Sequence, residues 1–174
     1  MPIVLSIQID FIKYFEELDI QGIILTGGND LFCVSKNELS EKRDIFEMKL
    51  IEYAITNKIP VLGVCRGMQI IAEYFGGKLE EVQGQVGVRH TLSVNDKSKY
   101  AFELKRISEV NSYHNYSVNK VPEHFIVSAT NENGMLKAIE SKRHNIFGQM
   151  WHSERDFPFD KNQLNLIKKV LKIR

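Results

Sequence analysis

The sequence predicts an α/β fold: a mostly parallel sheet with helices on both faces, plus a small antiparallel strand set towards the C-terminus. Three observations predict it. Short runs rich in Val, Ile and Leu at residues 22–26 and 61–64 read as strands buried on both faces, and in the first half they alternate with stretches of helical period. Within residues 60–77 (PVLGVCRGMQIIAEYFGG) the apolar period switches abruptly from strand to helix. In the second half two β-rich runs, 125–130 and 135–140, flank Asn131-Glu132-Asn133-Gly134, a hairpin signal.

Taken in order, residues 1–9 (MPIVLSIQI) read as β, and 11–18 as a short helix with Phe11, Ile12, Phe15 and Leu18 on one face. Residues 22–26 are a second buried strand running into Gly27-Gly28-Asn29-Asp30. A strand ending in a glycine pair presents free backbone N–H groups that can hold an oxyanion, although a simple turn is the plainer account. Residues 31–39 read as a loop carrying Cys33. Ser40 caps a helix to about Asn57, with Ile45, Phe46, Leu50, Ile51 and Ala54 apolar. After the strand of Val61, Leu62 and Val64, Met68, Ile71, Ala72 and Phe75 line one side of a helix that Gly76-Gly77 ends. Residues 78–94 suggest a short strand, a turn, and a strand ending near 90–94. The polar stretch 108–118 (SEVNSYHNYSV) reads as a loop lining something. Residues 146–151 form another strand, and 160–173 a closing helix capped by Asp160 with Leu164, Ile167, Val170 and Leu171 inward.

At 174 residues the chain is expected to be one domain, 1–174, with a real core. Lys and Arg number 23 against 22 Asp and Glu, so no charge excess argues for nucleic acid or an anionic membrane. No apolar run has spanning length, and Met1 opens no signal-peptide pattern. Cys33 and Cys65 could form one disulfide, but the role argued next for Cys65 needs a free thiolate. We therefore expect a reducing, cytoplasmic setting.

Strand, tight turn and helix, with Cys65 at the turn and Gly63 and Gly67 two positions either side, form a nucleophile elbow with Cys in place of Ser. Side chains at those glycines would collide with neighbouring backbone while the cysteine sits in strained geometry. The thiol lies at a helix N-terminus, where free N–H groups favour thiolate. A lone cysteine is more often a buried apolar residue, and the complete elbow reverses that reading. A thiolate needs a base, and the base an orienter. Among His90, His114, His124, His144 and His152, His144 lies in a charged turn and reads as solvated, and His124 as a surface residue. His152 follows a buried strand, and Glu154 two positions on can fold back to fix its tautomer. By itself the pair also fits a surface histidine with a chance acidic neighbour.

Together, Gly63-Val64-Cys65-Arg66-Gly67-Met68-Gln69, Leu25-Thr26-Gly27-Gly28-Asn29-Asp30 and Gly148-Gln149-Met150-Trp151-His152-Ser153-Glu154 resemble the class I glutamine amidotransferase family. The similarity spans nearly the whole chain and is greatest to the γ-glutamyl hydrolase-like (peptidase C26) branch. The resemblance implies a flavodoxin-like fold, Cys65 as nucleophile, His152 as general base and acid, and Glu154 as orienter. The backbone N–H groups of Gly28 and Arg66 would form the oxyanion hole. Gln69 and Asn29, with Ser112, Tyr113, His114, Asn115 and Tyr116, would contact substrate, the last five in a loop from Asn111 to Tyr116 that would close over it; for His114 loop packing is an equal reading. Arg89-His90 resembles a segment near the site mouth. The family's usual His-Pro-Glu is here His152-Ser153-Glu154. The family also opens with a strand and helix that have no counterpart before residues 1–9, which implies a truncated chain or a remodelled sheet.

The implied reaction is hydrolysis of a γ-glutamyl amide through a γ-glutamyl thioester, with no metal and no organic cofactor. The leaving group would be a polyamine, a nucleotide-linked amidate or another amine. Two rival readings stand: a glutaminase subunit supplying ammonia to a separate synthase, and an inactive truncated binding module. The implied partners are a small-molecule γ-glutamyl amide and either a second copy in a homodimer or a synthase; neither nucleic acid nor membrane is expected.

Overall fold

Strand β2 (Val61–Val64) is the axis of the structure, a computed structural model that describes residues 2–7 and 9–173. All four β2 residues are buried, with β1 (Ile23–Leu25) and β10 (Ile146–Gln149) parallel on either side. From β10 the sheet continues through β9 (Leu136–Ser141), β8 (Phe125–Thr130) and β5 (Ser93–Val94), each antiparallel to the last. In the order β1-β2-β10-β9-β8-β5, four of six strands point one way, as the sequence predicted. Two small antiparallel pairs stand beside this sheet. One is β3 (Lys78–Glu81) with β7 (Tyr116–Lys120), the other β4 (Val86–His90) with β6 (Val110–Tyr113).

Helices cover both faces. Alternation along β10 sends Gly148 towards Met68 of α4 (Arg66–Tyr74) and Phe147 towards Tyr100, at the start of α5 (Ala101–Leu104), on the opposite face. Helix α3 (Glu38–Thr56) packs beside α4, and α6 (Lys161–Leu171) beside α5. Helix α1 (Phe11–Glu17) is held to α3 by edge-to-face rings, Phe11 meeting Phe46 at 5.6 Å and Phe15 meeting Tyr53 at 5.2 Å.

Several expectations change. Residues 2–7 carry no strand, while Met1 and Gln8 lie outside the described residues. β1 is not buried throughout: it is an edge strand, and Ile24, 49% exposed, faces an open cleft. In α1 only Phe11 and Phe15, one turn apart, reach α3, leaving Ile12 and Leu18 exposed. The stretch 31–39 holds a one-turn helix, α2 (Phe32–Ser35), and α3 begins at Glu38. Its cap is Asn37, whose side chain accepts from the Ser40 N–H at 2.8 Å, while the Ser40 hydroxyl turns inward to Asp30. Residues 108–118 are mainly β6 and β7, because β4 and β3 satisfy their backbone and buried partners satisfy their polar side chains. In α6 Leu166, not Leu164, faces the core, and the cap at Asp160 accepts from Asn162 N–H as expected. His144 is half-buried, stacked at 6.0 Å on Phe75, rather than solvated.

Candidate functional site

The elbow forms as the glycine spacing requires. Cys65 has φ 52° and ψ −104°, a conformation that side-chain-bearing residues rarely adopt. A Cβ on Gly63 would lie 2.5 Å from the Gly67 backbone, and one on Gly67 would run into the Leu25 carbonyl oxygen. The Cys65 N–H donates to the Gln149 carbonyl at 2.7 Å, and the Cys65 carbonyl accepts from the N–H groups of Met68 and Gln69 in the first turn of α4. The turn is thereby tied to the end of β10, from which His152 follows. Both cysteines are free: Cys65 is 6% exposed, and Cys33 is half-buried, its thiol pKa pushed up by burial.

His152 is bonded through Nδ1, which lies 2.6 Å from Glu154 Oε1. Burial works against a charge on this ring, but the Cys65 and Glu154 side chains beside it prevail and raise it to about 9. Burial likewise opposes the Glu154 charge, yet the bond to His152 holds the carboxyl below its usual range. Asn111, expected only as part of the loop over the substrate, instead brackets the His152 backbone: its Oδ1 accepts from His152 N–H at 2.9 Å and its Nδ2 donates to the His152 carbonyl at 2.7 Å. Gln149 Nε2 donates to the Ser153 hydroxyl at 2.9 Å, which ties down the turn where a proline is usual.

The loop after β1 runs beside this ring; a Cβ on Gly27 would sit 2.6 Å from His152 Cε1, so only glycine admits the imidazole here. Among the described residues neither Gly28 N–H nor Arg66 N–H has a protein acceptor. Asn29, expected at the substrate, spends both ends of its amide on α3. It accepts from Arg43 Nη1 at 3.1 Å and donates to Ser40 Oγ at 2.6 Å. Gln69 donates to the Tyr116 carbonyl at 2.8 Å, joining the elbow helix to β7.

The remaining expected contact residues divide by face. Tyr113 and Asn115 are exposed and Tyr116 half-buried; the Tyr113 ring lies 6.2 Å from that of His152 and 4.4 Å from the Arg155 guanidinium. Ser112 and His114 are buried on Lys137, whose Nζ lies 3.2 Å from each of Ser112 Oγ and His114 Nε2 and 2.9 Å from Gln85 Oε1. Burial pushes the Lys137 ammonium down to about 8, and burial together with that charge pushes His114 down to about 4. His90 joins this cluster through Gln85 at 3.0 Å and Glu132 at 2.7 Å, whereas Arg89 pairs with Glu109 and with Asp156, just past the His152 turn. Lys137 gave no signal in sequence because it occupies an inward position of a strand otherwise read as ordinary.

A cleft of about 540 Å³ is walled by Gly27, Gly28, His152 and Glu154 on its polar side and by Ile24 and Phe159 on its apolar side. Cys65 does not line it. Among the described residues no group of three or more His, Cys, Asp or Glu side chains is arranged to hold a metal, and no helix is long and apolar enough to cross a membrane.

The profile of the peptidase C26 family matches residues 1–154. The chain is 38% identical over 155 residues to γ-glutamyl-CDP-amidate hydrolase of Campylobacter jejuni, covering 89% of this chain and 72% of that protein. It is 31% identical over 135 residues to GMP synthase (glutamine-hydrolyzing) of Bacillus cereus, covering 77% of this chain and 24% of that one. A solved glutamine amidotransferase of Thermotoga maritima superimposes with a TM-score of 0.62 at 19% identity, covering 86% of this chain and 64% of that chain. A candidate GMP synthase subunit from Thermoplasma acidophilum gives 0.69 at 20%, covering 87% and 71%.

Proposed function

Because this chain belongs to the peptidase C26 family of class I glutamine amidotransferase-like hydrolases, we propose that it cleaves a γ-glutamyl amide through a thioester on Cys65. The observation that carries the reading is the His152 ring, its Nδ1 2.6 Å from Glu154 Oε1 and its charge favoured by the Cys65 side chain beside it. Cys65 thiolate attacks the γ-carbonyl carbon, and the resulting oxyanion is held by the N–H groups of Gly28 and Arg66. His152, which keeps its proton up to about pH 9, passes it to the leaving nitrogen as the C–N bond breaks. The neutral ring then takes a proton from water, whose oxygen attacks the thioester. Glutamate leaves, and Cys65 and the protonated ring are regenerated. Glu154 fixes the ring and stabilises its positive form.

For the leaving group we propose a nucleotide-linked amidate, the chemistry named for the Campylobacter relative. A second reading, a glutaminase subunit serving a synthase partner, is favoured by the match to a 24% segment of GMP synthase. The deciding experiment screens γ-glutamyl amides, plain glutamine included, for glutamate release. Release from one nucleotide conjugate and not from glutamine supports the first reading. Turnover of glutamine only when a synthase is added supports the second, and release from nothing defeats both.

A further inference from the structure

The backbone N–H of Gly28 has to point at the site, and one side chain on α3 controls where it points. Arg43 spends its guanidinium on the loop after β1. Nη2 donates to the Thr26 carbonyl at 3.0 Å and the Gly27 carbonyl at 3.1 Å, and Nη1 donates to Asn29 Oδ1 at 3.1 Å. In a trans peptide the carbonyl and the following N–H point in opposite directions. With the Gly27 carbonyl turned to Arg43, the Gly28 N–H is turned away from α3. The fit is close: a Cβ on Gly28, where φ is +148°, would collide with Arg43 Nη1.

The same brace reaches the second oxyanion donor. Glu47, 5% exposed, accepts from Arg43 Nε at 2.8 Å on Oε1, while its Oε2 accepts from the buried guanidinium of Arg66. Arg66 also binds Asp44, whose other oxygen accepts from the Phe32 N–H at 2.8 Å. A single carboxylate thus joins the side chain of Arg66, whose own N–H is one donor, to the side chain that orients the other. Two guanidinium groups and two carboxylates leave the cluster neutral, so burial leaves no uncompensated charge.

We propose that Arg43 is a positioning residue of the oxyanion hole, fixing Gly28 N–H relative to Arg66 N–H through the Glu47 bridge. The inference rests on the reading of Cys65 as nucleophile. Lysine keeps the charge and can pair with Glu47, but a single ammonium cannot hold two carbonyls and an amide oxygen in a planar fork. Arg43→Lys should therefore lower kcat for the γ-glutamyl amide turned over by the unaltered enzyme on the order of 10²-fold, the scale of losing one oxyanion donor. KM should stay within about twofold, because the ground-state carbonyl makes little use of the hole.

Alkylation of Cys65 by iodoacetamide supplies the contrast, since displacement at a saturated carbon forms no oxyanion. Its rate should also stay within about twofold, a small change beside the expected loss of a whole donor. Arg43→Gln, which retains one amide donor for the loop, should show the same split and serves if the lysine variant does not accumulate folded. Unchanged kcat, or turnover and alkylation falling in parallel, would overturn the inference. Cys65→Ala run alongside separates the two levels: an active Cys65→Ala defeats the nucleophile assignment, whereas an inactive Cys65→Ala beside a fully active Arg43→Lys defeats only the role of Arg43.

Discussion

The two polar clusters flanking Cys65 are built on opposite electrostatic terms. On the α3 side, Arg43 and Arg66 meet Asp44 and Glu47, charge for charge. On the β6–β9 side, Lys137 is fully buried and forms no ion pair among the described residues, its partners being Gln85, Ser112 and His114. A compensated cluster holds its geometry across the neutral range. A buried cation with neutral partners answers to pH and to any charge brought near it. The Arg43–Arg66 cluster, on which the proposed oxyanion donors rest, is therefore fixed, while the cluster of Lys137 with Ser112 and His114 is electrostatically responsive. The proposed catalytic pair is Cys65 with His152.

The largest test bears on that pair. Cys65→Ala should reduce glutamate release by at least about 10³-fold, and His152→Ala by on the order of 10²- to 10⁴-fold, with folding unchanged by circular dichroism. Retention of near-normal rate by either variant would remove the pair from the mechanism. The pH profile sharpens it further. His152 is raised to about 9, so kcat/KM should fall as pH rises through that value and the acid for the leaving nitrogen is lost. Glu154 is among the groups that raise the ring, so Glu154→Gln should move this limb to lower pH as well as slow the reaction. A limb that stays put would show that Glu154 does not act through His152.

The next test separates the responsive cluster from the fixed brace by stability. Lys137 is pushed from 10.5 down to about 8, so between those values the unfolded chain binds more protons and stability rises with pH, by up to about 3 kcal/mol. His114, pushed from 6.5 down to about 4, acts in the same direction at lower pH: its cost is fully present below about 4 and gone above 6.5. His152 acts oppositely, contributing stability below 6.5 that is lost as pH rises through about 9. Lys137→Met should therefore remove the gain between pH 8 and 10.5 while leaving the losses from His152 in place, as read from denaturant midpoints across pH. Equal pH dependence in the two proteins would mean that Lys137 is not the responsive group.

The contrast between the clusters also explains what the sequence could announce. The elbow was legible because glycines two positions either side of Cys65 and the change of period around it are local signals. The His152–Glu154 pair is local too, and so is the hairpin around Asn131–Gly134 that becomes β8 and β9. The brace was not legible: Arg43 lies 14 to 17 residues from its loop partners, and Arg66 lies 19 and 22 residues from its carboxylates. On a helix read in isolation, Arg43, Asp44 and Glu47 look like a solvated polar face. Residues 108–118 misled for a related reason, since a run of Asn, Ser, Tyr and His reads as loop until strands 78–81 and 86–90 supply its backbone partners and Lys137 its buried ones.

The smallest expected effect concerns the point at which this chain departs from the His-Pro-Glu pattern. Ser153 opens a single 3₁₀ turn over Ser153–Arg155, and among the described residues its backbone N–H has no acceptor, so proline there removes no backbone hydrogen bond. His152 before it already lies outside the helical region, with φ −105° and ψ 89°, and that region is the one proline chiefly denies its predecessor. What Ser153→Pro does remove is the bond from Gln149 Nε2 at 2.9 Å, and that donor keeps the Trp151 carbonyl at 3.1 Å. Loss of one of two acceptors and gain of a stiffer turn offset each other, so stability and kcat/KM should both move by less than about 1 kcal/mol. A loss of the size expected for His152→Ala would instead mean that Gln149 and Ser153, rather than Asn111, hold the imidazole in register with Cys65.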